Sequence, residues 1–183
     1  MVKLSEVASA DASKRPIIAE TEHLIVQDAL KEEIPDIIAM ENDPDNSDFI
    51  WQGTPEQHAD EIDDPAHMLV MIRDKSDYHV VGYSLIHINK QSEIFELRRI
   101  AMNEKGKGYG TEILAAYFKL AFESLGINRF WLDVYPDNVK GIHLYEKMGM
   151  HRDGVLRQNY KASRGYLDQI IYSMLKSEYF AGK

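Results

Sequence analysis

Apolar residues recur along this chain in two rhythms, and the points where one gives way to the other predict its elements. Residues 23–29 (HLIVQDA) are apolar and rich in β-branched side chains, which predicts a first strand. Ile34, Ile37, Ile38 and Glu41 then fall at helical spacing, so residues 31–42 predict an amphipathic helix. The run NDPDNS at 42–47 is a turn-rich break. Thr54-Pro55-Glu56-Gln57 reads as a helix start, with a threonine cap, proline at the first helical position and a glutamine three residues on. That helix ends near 63–65.

Residues 67–73 (HMLVMIR) and 80–89 (VVGYSLIHIN) predict two strands joined by a polar turn at 74–78, and 92–102 predicts a third. Over 110–125 the apolar stripe is Ile113, Leu114, Tyr117, Phe118, Ala121 and Leu125, a helix closed by Gly126. A strand at 130–135, a helix at 138–148 ended by Gly149, and two strands at 151–160 and 166–175 around a turn at 163–165 complete the pattern. The order β-α-α-β-β-β-α-β-α-β-β predicts a mixed α/β plan, a central sheet with helices on its faces. Residues 1–20 are poor in large apolar side chains and predict an N-terminal extension, packed on the domain or on a neighbouring chain, ahead of one domain over 21–178. A length of 183 residues suits that single domain.

Composition narrows the chemistry. The chain has no cysteine, which excludes disulfides, thiolate zinc sites and a cysteine nucleophile and fits a reducing, cytoplasmic setting. Residues 1–16 hold no apolar segment of the kind that directs secretion, and no run approaches the length needed to span a bilayer. The net charge of −9 argues against nucleic acid as a partner. The acid is concentrated: residues 31–64 contain twelve Asp and Glu against one Lys. This predicts either a solvated acidic face or a field that attracts a cationic substrate such as an amine.

Two segments carry candidate chemistry. In the first, Lys105-Gly106-Lys107-Gly108-Tyr109-Gly110-Thr111, three glycines at alternate positions lie between an apolar strand and a long helix. Without side chains in the way, their backbone can approach an anion, and the helix start adds unpaired N–H groups, so a diphosphate is the natural ligand. A Walker A loop would need lysine before the threonine, and a dinucleotide fingerprint would need G-x-G-x-x-G near the chain start; neither is present. A flexible glycine turn without a ligand is the plain alternative. In the second segment, Asn138 is placed to cap a helix and Tyr145 follows seven residues later, about two turns on and so on nearly the same face. A phenol with a pKa of about 10 can protonate a leaving thiolate. The plain alternatives are a helix cap and a core aromatic.

Together the two segments resemble the GNAT superfamily of N-acetyltransferases over about residues 22–176. Lys105 stands where that family usually has Arg or Gln, and Met150 where it has Phe after the glycine. The tail, Gly154 to Gln158 and Gly165 to Met174, is similar to the branch of ribosomal-protein N-terminal and spermidine acetyltransferases. The resemblance implies a mostly antiparallel central sheet flanked by about four helices. It implies acetyl-CoA as cosubstrate, with the backbone of Ile100, Ala101 and Met102 along the pantetheine arm and Lys105 to Thr111 around the diphosphate. Asn138 would contact the coenzyme, and Tyr145 would lie near its sulfur as general acid.

The reaction implied is direct attack of a neutral primary amine, on a polypeptide N-terminus, polyamine or other small molecule, at the thioester carbonyl. A base must take the ammonium proton. Glu96 is the first candidate, since strict alternation puts Glu96, Arg98 and Ile100 on one face, and pairing with Arg98 or Arg99 is its alternative. His87 is the second. A backbone N–H near Met102 would meet the oxyanion. Phe49, Trp51 and Tyr83 are candidates for an acceptor pocket, no metal is called for, and a homodimer fits the C-terminal strands. A non-catalytic acyl-CoA sensor and a domain used only for protein association are the competing functions.

Overall fold

In the computed structural model, which describes residues 12–182, eight strands form one sheet. They are β1 (Ala19–Glu20), β2 (Leu24–Asp28), β3 (His67–Asp74), β4 (Val80–Asn89), β5 (Ile94–Met102), β6 (Arg129–Val134), β7 (His151–Ala162) and β8 (Gly165–Leu175). The spatial order is β1-β2-β3-β4-β5-β6-β8-β7, and only β5 and β6 run parallel. That exception follows from the connection, because parallel neighbours need a long crossover and α3 (Tyr109–Lys119) supplies it. The other helices are α1 (Ile34–Glu41, entered through the 3₁₀ turn Lys31–Glu33), α2 (Pro55–Asp63), α4 (Val139–Lys147) and α5 (Lys176–Ala181). The expected mixed, mostly antiparallel sheet is present, with α5 as an additional short helix.

Local chemistry explains the boundaries. At α2 the Thr54 hydroxyl accepts from the Gln57 amide at 3.3 Å, and the Gln57 side chain accepts from the Thr54 amide at 2.8 Å. The helix expected over 110–125 is α-helical only to Lys119. Leu120–Ser124 then forms a π turn, with the Leu125 amide donating to the Leu120 carbonyl at 2.9 Å. The wider turn keeps Ala121 and Phe122 in the core and rotates Leu125, predicted to face inward, to 46% exposure.

Alternation along the strands builds two cores. Val70 and Ile72 pack with Ile113, Tyr117 and Phe118 of α3, whereas Leu69 and Met71 pack with Ile37 and Met40 of α1 on the other face. In β5 the alternation is broken once. Ile86 pairs with Leu97 but Leu85 pairs with Arg99, leaving Arg98 as an extra residue. Phe95 and Leu97 face the α3 side, and beyond the shift Ile100 and Met102 face it too, while Arg99 and Ala101 turn toward α1. The expectation that Glu96, Arg98 and Ile100 share a face is thereby corrected.

The pairing of β5 with β6 covers only Ile94, Phe95 and Glu96 against Arg129, Phe130 and Trp131. Beyond that point the strands part, and the gap between them is the central feature of the molecule. Of the expected extension, residues 1–11 lie outside the described residues. Residues 12–20 lie against the domain: the Gln27 side chain donates to the Ala12 carbonyl at 2.8 Å, Arg15 pairs with Glu33, and β1 pairs with β2.

Candidate active site

The gap between β5 and β6 opens into a cleft of about 890 Å³. One side carries the glycine turn and the first residues of α3 and α4. The other carries the loop between α1 and α2 and the ends of β6, β7 and β8. The two helix N-termini on one wall make that wall electropositive at its backbone.

Gly106 and Gly108 hold φ values of 82° and 81°, which side chains of L-residues rarely tolerate. This left-handed backbone turns successive N–H groups the same way. Gly108 caps α3, accepting from the amides of Thr111 at 3.0 Å and Glu112 at 3.1 Å. Among the described residues, no carbonyl accepts from the amides of 106–110, and residues 105–108 are exposed. These donors are therefore not used by the protein's own backbone. Lys105 reaches across the cleft mouth to the Asp45 carbonyl at 2.8 Å. Lys107 does not line the cleft; its ammonium meets Glu104 at 2.6 Å.

Asn138 and Tyr145 both line the cleft, as the helical spacing predicts. The Asn138 Oδ1 accepts from the Gly141 amide at 2.9 Å, so the residue caps α4 while lining the cleft. Tyr145 packs in the α3-side core with its ring centroid 6.0 Å from that of Tyr172. Burial, reinforced by the Asp133 charge, pushes its phenol up to about 12. Of the β5 residues expected along the pantetheine arm, Ile100 and Met102 line the cleft; the Ala101 side chain packs on the far side, which leaves only its backbone for such a role.

Glu96 does not line the cleft. It lies where β5 is still paired with β6, 3.2 Å from His87 Nδ1 and 3.2 Å from Arg98 Nε. His87 stands beyond it, also away from the cleft. The strand carboxylate that lines the cleft is Asp133 of β6. Its signal was an acid inside the run FWLDV: Phe130, Leu132 and Val134 face the α3-side core, so Trp131 and Asp133 face the other way. The Gln169 amide donates to Asp133, yet burial and the nearby Glu96 charge hold its pKa above the usual carboxylate range.

Phe49 and Trp51 line the cleft, and Tyr83 does not. Tyr83 is fully buried and donates its hydroxyl to Glu41. Glu41 also accepts from Arg99 at 3.1 Å and from the Gly53 amide at 2.8 Å, and lies 3.2 Å from His58 Nε2. Glu61 binds the other sides of His58 and Arg99. The Arg99 guanidinium in turn lies 4.6 Å over the Trp51 ring. Part of the acid in 31–64 is thus paired, some of it inside the protein and some at the surface. Glu33 meets Arg73 and Arg15, Glu41 and Glu61 meet His58 and Arg99, and Asp63 meets Lys31.

Known proteins agree with this geometry. The sequence profile of the acetyltransferase (GNAT) family matches residues 27–150. The uncharacterized N-acetyltransferase p20 of Bacillus licheniformis is 33% identical over 100 residues, which cover 54% of this chain and 54% of that protein. The spermidine N(1)-acetyltransferase of Vibrio cholerae is 28% identical over 120 residues, 64% of this chain and 69% of that protein. Apart from the Vibrio protein, the chain spans about half the length or less of these curated relatives. Among solved structures, a chimera of Vibrio cholerae spermidine N-acetyltransferase SpeG and hSSAT superposes with a TM-score of 0.76 at 20% identity, covering 87% of this chain and 99% of that one. A GNAT-family acetyltransferase from Bacillus anthracis gives 0.73 at 19% identity, covering 87% and 99%. The profile spans the parted strands, the glycine turn and the helix that carries Tyr145, and on that ground the chain belongs to the GNAT acetyltransferase family.

Proposed function

We propose that this chain moves the acetyl group of acetyl-CoA onto a primary amine by direct attack. The observation that carries the reading is the turn at 106–110, whose amides have no carbonyl partners among the described residues and lie at the start of α3. Those amides, with Lys105 and the Thr111 hydroxyl, hold the diphosphate. The pantetheine arm runs along the free edge of β5 at Ile100, Ala101 and Met102, where β6 has parted from it, and the Asn138 amide steadies it. The thioester then reaches the floor of the gap beside Tyr145.

Tyr145 keeps its proton across the physiological range because its site is apolar. The same desolvation makes a departing thiolate more basic, so the transfer from phenol to sulfur is not penalised as it would be in water. The amine nitrogen bonds to the carbonyl carbon, the carbon–sulfur bond breaks, and the sulfur leaves with the tyrosine proton. One proton from nitrogen returns to the phenolate, and the net products are an amide and a free thiol. The acceptor lies within the class of primary amines, which includes peptide N-termini, polyamines and other small molecules; the Vibrio relative is named for spermidine.

The test is thiol release from acetyl-CoA over polyamines, aminoglycosides, amino acids and ribosomal-protein N-terminal peptides, beside calorimetric titration with CoA. Binding with turnover on at least one amine is expected. Binding without turnover on any of them would identify a sensor, and no binding at all would leave a domain for protein association.

A further inference from the structure

The acceptor side of the cleft has an unusual charge balance. Four carboxylates line the cleft: Asp45, Glu104, Asp133 and Asp137. Three already face a cation. Asp45 lies 3.8 Å from the Lys105 ammonium, Glu104 lies 2.6 Å from Lys107 and 2.7 Å from His79, and Asp137 pairs with Arg164. Asp133 differs in that it has no ion pair among the described residues: its hydrogen bond comes from the neutral amide of Gln169, and the nearby Arg98 guanidinium is held by Glu96 at 3.2 Å.

Aromatic rings line the same cleft as Asp133. Tyr135 and Tyr160 stack with ring centroids 5.7 Å apart, and Trp51 stands on the facing loop. Guanidinium groups pin these rings: Arg99 lies 4.6 Å over Trp51, and Arg164 lies 5.8 Å over Tyr135. Arg164 also donates to the Asp48 carbonyl at 2.9 Å, tying the loop between α1 and α2 to the β7–β8 turn. A second positive charge on a bound amine would meet aromatic rings and arginines here, with no carboxylate to spare.

We propose that the acceptor is an amine with one ammonium on an apolar or aromatic body, seated with its nitrogen at Asp133 and its body against Tyr135, Tyr160 and Trp51. Asp133 takes the ammonium proton, and the neutral nitrogen attacks through the gap at the thioester held on the Tyr145 side. The proton count closes: the ammonium gives one proton to Asp133 and, after the carbon–nitrogen bond forms, one to the phenolate left by thiol departure. Asp133 then returns its proton to water. Charged and titratable groups that face Asp133 are Glu96 and Arg98 on β5 and the phenols of Tyr135 and Tyr145, with Gln169 on β8. The inference rests on the transfer reaction proposed above and adds the acceptor class and the base.

The experiment compares kcat/KM for an arylalkyl monoamine such as tyramine, an aromatic amino-acid amide and spermidine, with CoA binding measured separately by calorimetry. Wild-type protein is expected to prefer the two monocations over spermidine by about tenfold or more, the scale of one uncompensated charge near a low-dielectric wall. Asp133→Asn should lower kcat on the monoamines by roughly 100-fold or more and remove the acidic limb of the pH profile, with CoA affinity unchanged. Tyr160→Leu should raise KM for the aromatic amines several-fold and lower kcat/KM on them accordingly, with the spermidine rate much less affected; it also serves as the reading if Asp133→Asn fails to fold. A preference for spermidine, or an Asp133→Asn enzyme with unaltered kcat and pH profile, overturns the inference while turnover keeps the acetyl-transfer reading intact. CoA binding with no turnover on any amine, or no CoA binding, overturns both.

Discussion

Asp133 and Tyr145 address one gap from opposite faces of the sheet. Asp133 projects from β6 to the α1 side, whereas Tyr145 packs with Leu132 and Val134 on the α3 side. The two are electrostatically linked: the Asp133 charge adds to burial in pushing the Tyr145 phenol up. In the reaction proposed above, an acyl group between them would have a proton acceptor on the amine side and a proton donor on the sulfur side. Removing the donor alone tests half of that arrangement. Tyr145→Phe is expected to lower kcat by about 100-fold while KM for acetyl-CoA stays within a few-fold, since the ring and its packing remain. Thiol release under saturating amine is the measurement, and an unchanged kcat removes Tyr145 from the role.

The glycine turn is tested through its backbone. A side chain at Gly108 meets no neighbour within 4 Å, so the substitution Gly108→Ala adds no clash. What it adds is the cost of a left-handed residue at φ 81°, on the order of 1 kcal/mol, which relaxes by turning the amides away. CoA affinity should fall by about tenfold, read by calorimetry, with the melting temperature nearly unchanged. Equal loss in fold stability and binding would instead mark the turn as structural.

Much of the fold could be read from periodicity, because most strands and helices here keep one rhythm from end to end. The features that escaped were breaks in rhythm. The extra residue at Arg98 in β5 and the π turn at Leu120–Ser124 each shift the pattern by one position, and no turn residue marks either. The glycine turn and the Asn138–Tyr145 spacing were legible because both depend on local geometry within one segment. Asp133 was less so, since its importance comes from the parting of β5 and β6 and from Gln169, which lies 36 residues away. Glu96 looked equivalent in sequence, and only the pairing pattern separates a carboxylate beside the gap from one sealed in the ladder.

The buried cluster under Trp51 gives a pH signature. Burial alone would lower the pKa of His58, but its hydrogen bonds to Glu41 and Glu61 prevail and raise it to about 9. A group whose folded pKa lies above its unfolded value near 6.5 stabilises fully below 6.5, and loses that contribution as pH rises through 9. Over that window the loss is on the order of 3 kcal/mol. His58→Gln should therefore melt well below wild type at pH 6, by several degrees, and the difference should shrink by pH 10. A gap that stays constant with pH would show that His58 contributes by packing and not by charge.

Arg164 offers a test of how far the acceptor wall depends on one tether. It is exposed at the β7–β8 turn, pairs with Asp137 at the start of α4, donates to the Asp48 carbonyl at 2.9 Å and lies over Tyr135. Its ion pair is partly exposed and worth little to global stability, so Arg164→Ala should move the melting temperature by no more than a few degrees. The loop carrying Phe49 and Trp51 loses its link to the hairpin, however, and the Tyr135 ring loses its cation. KM for the amine should then rise about tenfold, while CoA affinity, set on the opposite wall, stays within twofold. Paired calorimetry and initial-rate measurements separate the two effects. Equal weakening of amine and CoA would mean that Arg164 holds the whole cleft open and not only its acceptor side.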